Sequence, residues 1–480
     1  MLHKVSPLLW IAAIAAALWL IFPYGFPTYD PRYALVWGHE MAHGIGPDYG
    51  AAQPPTPHPL ADLWGAVVSP LGPFGAGVAT TVIAYLAIGA TGYLVYRLAA
   101  RWFDRPIGLV AALLILTRPP IIANGTRCYV DLPYMALVLA ALAVENRRPR
   151  SGWPVLALLA VAGLLRPEAW LFSAAYLAYL LVERDPERGR LGVRLRAALN
   201  AGRVVPLVML AASAPLLWLT FDVATTGDPT YSFTATRDRV QTLERSSGPG
   251  ELVTGGPHRL GEVMGRSGLV AAAAGLLLAF FLLRRGRIGI VATILAGLAF
   301  AILACVGLAV IARYLMLTSA LLCIFSAVAL LGWRLLPAAD PWRRRWLAIA
   351  VVLAGFFAVE GPLQYGYLSD ERTELAEEQK LDSELRHLAD SGAVGEGCGP
   401  MTVPSDRAVP RLAAWLNVCP STIAVYKEQR PPTHGYFLEP ITSAGALHYQ
   451  RFPAPARFHP VARNDSWLLY ARCGMPERKG

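Results

Sequence analysis

Apolar residues run along this chain in blocks long enough to cross a bilayer, not in the short alternations of a half-exposed sheet. A helix needs about 20 of them, with about 17 to 25 as the working range, to span the hydrocarbon thickness. Blocks near 8–27, 73–96, 106–125, 132–145, 153–165, 167–182, 204–221, 268–283, 288–311, 314–333 and 346–361 predict 11 transmembrane helices. The fourth to sixth are short, and Pro167 breaks the fifth from the sixth. No small-residue cleavage site follows Leu8–Phe22, so that block is read as a retained first span, not as a leader. No internal repeat or low-complexity tract interrupts the pattern.

Between the blocks, arginines cluster at Arg97/Arg101/Arg105, Arg147/Arg148/Arg150, Arg184 to Arg196, Arg284/Arg285/Arg287 and Arg343/Arg344/Arg345. Every cluster follows an even-numbered block. Cytoplasmic loops retain Lys and Arg, so the amino terminus with Lys4 is expected inside and the carboxyl terminus outside. The outer face then carries a loop at 28–72, a second at 222–267, and a polar tail. The tail contains a helical run at Glu371–Ala389 and short apolar stretches at Ala408–Leu416, Thr422–Tyr426 and Ser466–Tyr470, the pattern of a small α/β domain.

The expected fold class is therefore an all-α polytopic membrane protein of about 11 helices with a small C-terminal extracytoplasmic α/β domain. Residues 1–361 would form the membrane domain and 362–480 the outer one. Composition agrees: 55% of the 480 residues are hydrophobic and 16% charged, against about 25% charged in soluble domains. Disorder, a disulfide-rich miniprotein and an ordinary cytosolic enzyme are excluded. The net charge of +10 comes from arginines scattered over five loops, which form no stripe of the kind that binds nucleic acid.

Of the six cysteines, Cys128, Cys305 and Cys323 fall in or near spans, where Cys packs as a small apolar residue. Cys398, Cys419 and Cys473 fall in the outer tail, where a bridge is permitted. The expected pair is Cys398 with Cys419, leaving Cys473 unassigned.

The first outer loop is the richest in chemistry. It reads Tyr29-Asp30-Pro31-Arg32-Tyr33, then His39-Glu40-Met41-Ala42-His43-Gly44-Ile45-Gly46-Pro47-Asp48-Tyr49, then Pro57-His58-Pro59-Leu60. Asp30 stands just beyond a span end, at the membrane–water boundary where a lipid phosphate presents its head group. Two readings stay open: a general base for an incoming hydroxyl, or the N-cap of a helix starting at Pro31.

Charged residues also sit at three other outer span ends: Arg127-Cys-Tyr-Val-Asp131-Leu-Pro133, Arg166-Pro167-Glu168-Ala-Trp170 and Arg313-Tyr314-Leu315. A charge at bilayer depth costs about 2.5 to 3.5 kcal/mol on insertion scales. Guanidinium forks bind phosphate bidentately, which gives these arginines a reason to be there. The alternative is that each snorkels to the interface or pairs with Asp131 or Glu168.

Together these motifs resemble the GT-C superfamily of membrane glycosyltransferases, which includes protein O-mannosyltransferases and the aminoarabinose transferase of lipid A. Tyr29-Asp30-Pro31-Arg32 resembles the acidic motif after the first helix. Gly44-Ile-Gly46-Pro-Asp-Tyr with Pro57-His58-Pro59-Leu60 is similar to the family's Gly-x-x-Pro and proline–leucine segment. Val130-Asp131-Leu132-Pro133, Leu165-Arg166-Pro167-Glu168 and Arg313-Tyr314-Leu315 are similar to its later elements. The resemblance covers roughly residues 8–340. It implies inverting transfer of a sugar from a polyprenyl-phosphate donor to a glycan, lipid or protein acceptor on the extracytoplasmic face of the plasma membrane.

In that reading Asp30 and Asp131 are catalytic, Arg127, Arg166 and Arg313 bind the donor phosphate, and Arg32, His58 and Glu168 contact substrate. Membrane lipids are the remaining partner, and no nucleic acid is expected. Asp30 stands alone where many members have two adjacent acids, so no metal ligand is assigned and dependence on a divalent metal stays open.

Two rivals remain. His39-Glu40-Met41-Ala42-His43 satisfies the His-Glu-x-x-His pattern of zinc proteases, with both imidazoles one turn apart. However, Tyr49 occupies the extended third-ligand position, and Asp48 falls one residue early. In the transferase reading the same segment is an interfacial helix with Leu35, Val36 and Met41 in lipid. A transporter or flippase for a lipid carrier is the other rival; its usual inverted repeats are not visible.

Overall fold

The computed structural model describes residues 6–184, 191–193, 202, 204–395, 398–428 and 433–473. Lys4 and most of the Arg184 to Arg196 cluster lie outside them. Each expected apolar block contains helix, although 8–27 and 288–311 run past theirs, Pro7–Ile21 and Arg287–Cys305, and 106–125 is split in two. Asp104 caps the Arg105–Leu116 helix by accepting from the Ile107 amide at 2.9 Å. The Arg118-Pro119-Pro120 sequence then breaks the chain, since a residue before proline is driven out of the helical region. The next helix, Pro119–Thr126, departs at 62°.

Among the described residues six helices are long and apolar enough to cross a membrane by length and composition: 59–102, 204–226, 248–283, 287–305, 312–335 and 341–390. The bent pair makes a seventh if taken as one span. Pro7–Ile21, Trp153–Gly163 and Glu168–Leu181 are apolar but shorter. At 1.5 Å per residue, helices of 11 to 15 residues reach about 16 to 23 Å against a core of about 30 Å.

The chain divides into two compact units. The first comprises Met1–Pro23, His58–Leu60 and Val82–Ser369. Its centre is the Met316–Leu331 helix, buried from Met316 to Ala329 on every side. The Gly256–Leu277 helix presses against it so closely that a Cβ on Gly275 would stand 1.8 Å from the Phe325 carbonyl oxygen, the small-residue contact that lets membrane helices approach. Ser326 Oγ donates to the Gly268 carbonyl across the same interface at 3.0 Å.

The Gly256–Leu277 helix is itself kinked at Gly265, with φ +73°. The kink is satisfied from both sides: Arg118 donates to the Met264 carbonyl at 2.6 Å, and Glu360 accepts from the Ser267 amide and hydroxyl.

The second unit comprises Tyr24–Pro57, Ala61–Thr81 and Asp370–Gly480. It holds a mixed five-stranded sheet in the order Ala424–Val425, Met401–Val403, Gly435–Pro440, Trp467–Arg472, His459–Arg463. The first three strands run parallel and the last two are antiparallel hairpin partners. The helical run expected at Glu371–Ala389 is the end of one helix, Pro341–Asp390. Its Leu381, Leu385 and Leu388 pack with Tyr33, Val36 and Trp37 of the Tyr29–Ala42 helix and with the sheet in one core.

That core corrects two expectations. Leu35 and Val36 are 7% and 6% exposed because protein, not lipid, covers them: Val36 lies in this core and Leu35 against Val68 and Ala76. The disulfide joins Cys398 to Cys473, not to Cys419. Sheet register explains the pairing. Gly435 pairs with Arg472 and abuts Pro400, which brings the chain before Met401 and the chain after Arg472 to one sheet end.

Peptide mapping of the unreduced protein is expected to recover Cys398 linked to Cys473, with Cys419 unlinked. Closing a 75-residue separation restricts the unfolded chain, so Cys473→Ser should destabilise the sheet unit by about 2 to 4 kcal/mol in denaturant titration.

Candidate functional site

In the first unit, three turns that follow or precede different helices meet in one buried charge cluster. Asp131 opens the Asp131–Arg147 helix, Glu168 opens the Glu168–Leu181 helix, and both benefit from the positive end of the helix dipole. Arg166, in the turn before Glu168, is ion-paired with both Asp131 and Glu168. The three are only 6%, 3% and 6% exposed for Arg166, Asp131 and Glu168.

Arg313, in the tight turn before the Met316–Leu331 helix, reaches Asp131 Oδ2 at a looser 3.7 Å and is the most exposed member. Tyrosines complete the packing. The Arg166 guanidinium lies 4.4 Å from the Tyr314 ring centre and 5.7 Å from that of Tyr134, while Arg313 lies 4.8 Å from that of Tyr129. With two guanidiniums and two carboxylates the cluster is formally neutral.

The other predicted residues of this unit lie near these turns or beside them in sequence. Arg127 is half-buried at the C-terminal end of the Pro119–Thr126 helix, on the turn that carries Tyr129 and Asp131. His58 stacks edgewise on Trp218 at 5.8 Å, and Trp218 in turn on Trp170. Two residues not singled out from sequence, Arg118 and Glu360, hold the Gly265 kink described above. An arginine before a double proline was the available signal for the first; nothing local marked the second.

Asp30 and Arg32 belong to the second unit. The helix begins at Tyr29 with Thr28 in the capping position, so Asp30 is not the N-cap but a half-buried residue of the first turn. Arg32 is buried, pairs with Asp382 at 3.3 Å and lies over Trp415 at 5.0 Å. Arg411 shares Asp382 at 3.6 Å and reaches Glu378 at 3.9 Å. Asp382, Glu378 and Arg411 were not legible as partners, being some 350 residues away in sequence.

A cavity of about 250 Å³ opens beside this helix, lined by Arg32, His39, Glu40, His43, Ser69 and Cys419 among others. The His-Glu-x-x-His residues do not converge on one point. His39 uses Nδ1 on Ser69 Oγ at 2.8 Å and Nε2 on Asn417 Oδ1 at 3.1 Å; His43 Nδ1 bonds the His39 carbonyl. Glu40 instead turns to Asp48, accepting from its amide at 2.7 Å. Burial, with the Asp48 carboxylate beside it, pushes Glu40 up to about 7. Burial and the Glu40 and Asp48 carboxylates raise the Cys419 thiol as well.

Residues 60–221 match the family described as dolichyl-phosphate-mannose-protein mannosyltransferase. ArnT from Cupriavidus metallidurans, solved bound to undecaprenyl phosphate, superimposes with a TM-score of 0.52 at 14% identity over 96% of this chain and 97% of its own. The chain shares the fold of ArnT. An oligosaccharyltransferase from Archaeoglobus fulgidus in the apo form aligns at 12% identity and a TM-score of 0.48, over 88% of this chain and 65% of its own. No curated protein sequence matches. The likeness to ArnT takes in 96% of the chain, whereas the motifs suggested only 8–340, because the tail's sheet is conveyed by topology and not by short motifs. The protein is a multi-pass membrane protein with a small C-terminal sheet region.

Removing Arg166 leaves Glu168 buried without its ion pair and Asp131 with only the looser contact to Arg313. Arg166→Ala is expected to cost about 3 to 5 kcal/mol in detergent unfolding, and Arg313→Ala, at the exposed edge, about 1 kcal/mol or less. Equal losses for the two variants would contradict this division of labour.

Proposed function

We propose that this GT-C protein transfers a sugar from a polyprenyl-phosphate carrier to an acceptor on the extracytoplasmic face, with inversion. The observation that carries the reading is the convergence of Arg166, Asp131, Glu168 and Arg313 from three separate turns. A polar assembly of this cost is retained in an apolar bundle when it has an anion or a proton to handle. The undecaprenyl phosphate held by ArnT and the dolichyl-phosphate donor named in the matched family supply the carrier class.

We assign eleven spans by adding the Asp131–Arg147 helix and the three short apolar helices to the seven counted above, with the amino terminus cytoplasmic and the C-terminal domain outside. Domain limits of 1–361 and 362–480 follow from that topology.

In the proposed reaction the acceptor hydroxyl gives its proton to Asp30 and attacks the anomeric carbon opposite the phosphate. The carbon–oxygen bond to phosphate breaks, and the leaving polyprenyl phosphate keeps the electron pair. Arg313, loosely paired and partly exposed, meets the phosphate; Arg127 supports it from the neighbouring turn. Arg166 fixes Asp131 and Glu168 so that the charge array is set before the donor arrives, the economical way to stabilise a developing anion. Arg32, His58 and Glu168 contact substrate or hold those that do.

The test is a transfer assay with purified protein and a panel of polyprenyl-phosphate sugars. Asp30→Asn should abolish turnover while donor binding persists, and Arg313→Ala should weaken donor binding by about 10- to 100-fold, the loss of one charge-assisted contact pair. Near-normal turnover by Asp30→Asn removes Asp30 from the mechanism; donor turnover without any acceptor product, or none with every donor, removes the transferase reading.

A further inference from the structure

Glu40, Asp48 and Cys419 arrive from different parts of the second unit: the end of the Tyr29–Ala42 helix, the loop after it, and the turn following the Val409–Leu416 helix. One ligand atom from each lies within 4.8 Å of the others. Three features of this cluster call for a cation.

Glu40 is 5% exposed, its Oε2 takes the Asp48 amide, and the one side-chain donor that reaches its carboxylate among the described residues is the weak Cys419 thiol, which leaves Oε1 without a hydrogen bond of good geometry. A buried carboxylate oxygen left in that state is costly. Asp48 is held in place by backbone amides, Oδ1 by Gly50 at 3.1 Å and Oδ2 by Ser421 at 2.6 Å, which orient it and leave its remaining lone pairs available. Cys419 is the cysteine that the disulfide leaves over in this unit, since Cys398 and Cys473 are joined. Among the described residues no Lys or Arg forms an ion pair with either carboxylate; Arg32, which lines the same cavity, pairs with Asp382.

We propose that Glu40, Asp48 and Cys419 form a zinc-class metal site that clamps the loop after the Tyr29–Ala42 helix to the turn after the Val409–Leu416 helix. The donor set identifies the class: a thiolate selects zinc and its borderline-soft neighbours over calcium or magnesium, which take oxygen alone. Binding releases the thiol proton to solvent and leaves the metal redox state unchanged. Three protein ligands leave a fourth position, which the adjoining cavity can fill with water or a small anionic ligand. Glu40, the glutamate of the His-Glu-x-x-His string, thus acts as a ligand, and the two histidines do not bind the metal.

The site is tested on the untagged full chain purified in detergent. Elemental analysis should find about one zinc per chain, retained in His39→Ala and His43→Ala and reduced more than about tenfold in Cys419→Ala and Glu40→Gln. Replacing zinc by Co²⁺ in the unmutated chain should give a thiolate-to-cobalt charge-transfer band, a readout that does not depend on any variant folding. A chelator should lower the melting temperature of the unmutated chain but not that of Cys419→Ala. Overturning results are a chain without zinc that gives no cobalt–thiolate band on reconstitution, zinc that persists in Cys419→Ala, and zinc lost in the histidine variants instead, which would return the metal to the protease pattern.

Discussion

An arginine buried among apolar helices has to be neutralised, and the first unit is arranged around that requirement. Arg166 lies in a bundle whose central helix is closed to solvent over fourteen successive residues. Its charge is matched by two carboxylates, each placed at a helix start where the backbone dipole lowers the cost of holding it. The match fixes more than itself. Asp131 cannot meet Arg166 unless the helices leading into their turns end at the same level, so one ion pair constrains the relative height of several spans. Arg313 adds the helix that runs through the centre. Loss of register in any of them would strand a charge, which is a stronger penalty than the loss of a few apolar contacts.

Much of this was legible in sequence because bilayer crossing imposes a length and a polarity that single residues reveal. The blocks from Leu8 to Gly361 show as helices, and the arginines at 166 and 313 stand out since charge is rare in such surroundings. Pairings between distant turns were not legible. Asp131 and Arg166 are 35 residues apart and Arg32 and Asp382 are 350 apart; no periodicity links them, because their meeting depends on how helices pack and not on local propensity. The cysteines illustrate the same point. Cys419 is nearer to Cys398 along the chain than Cys473 is, but sheet register decides proximity, and the strand Trp467–Arg472 brings Cys473 to the correct edge. The small sheet was visible only as scattered apolar stretches, since its shortest strand has two residues and Val403 and Val425 face the core from different segments.

The His-Glu-x-x-His string shows how spacing can be correct while direction is wrong. At helical spacing the two imidazoles do approach, with ring centres 4.2 Å apart. Both ring nitrogens of His39 are then taken by neighbours that the spacing does not encode, Ser69 and Asn417, and Nδ1 of His43 by the His39 carbonyl one turn back. The helix also rotates Glu40 inward, where the 48–50 loop and the 419–421 turn close over it. Burial of Tyr33 and Trp37 on one side of this helix sets that rotation, so the hydrophobic face determines which polar groups are turned into the protein. Chemistry read from a motif therefore has to be checked against the packing of the residues between the motif positions.

For the proposed sugar transfer from a phosphate carrier, a neutral cluster in an apolar bundle serves better than an uncompensated positive one. Free guanidiniums at that depth would carry the full desolvation cost at all times and would hold any anion too tightly for product to leave. In the proposed mechanism the Arg166 pairings stay intact throughout, so no buried charge is exposed during turnover. Arg313 is the one member with a long, partly solvated pairing, and exchanging Asp131 for a phosphate oxygen costs it little, since one anion replaces another. As that exchange proceeds, Asp131 keeps Arg166, and the cluster passes from two cations balancing two carboxylates to the same two cations balancing two carboxylates and a phosphate. The negative charge that the phosphate gains as the carbon–oxygen bond breaks is met by Arg313, and the spent carrier leaves as Arg313 returns to Asp131, so the pairing that admits the donor also releases the product.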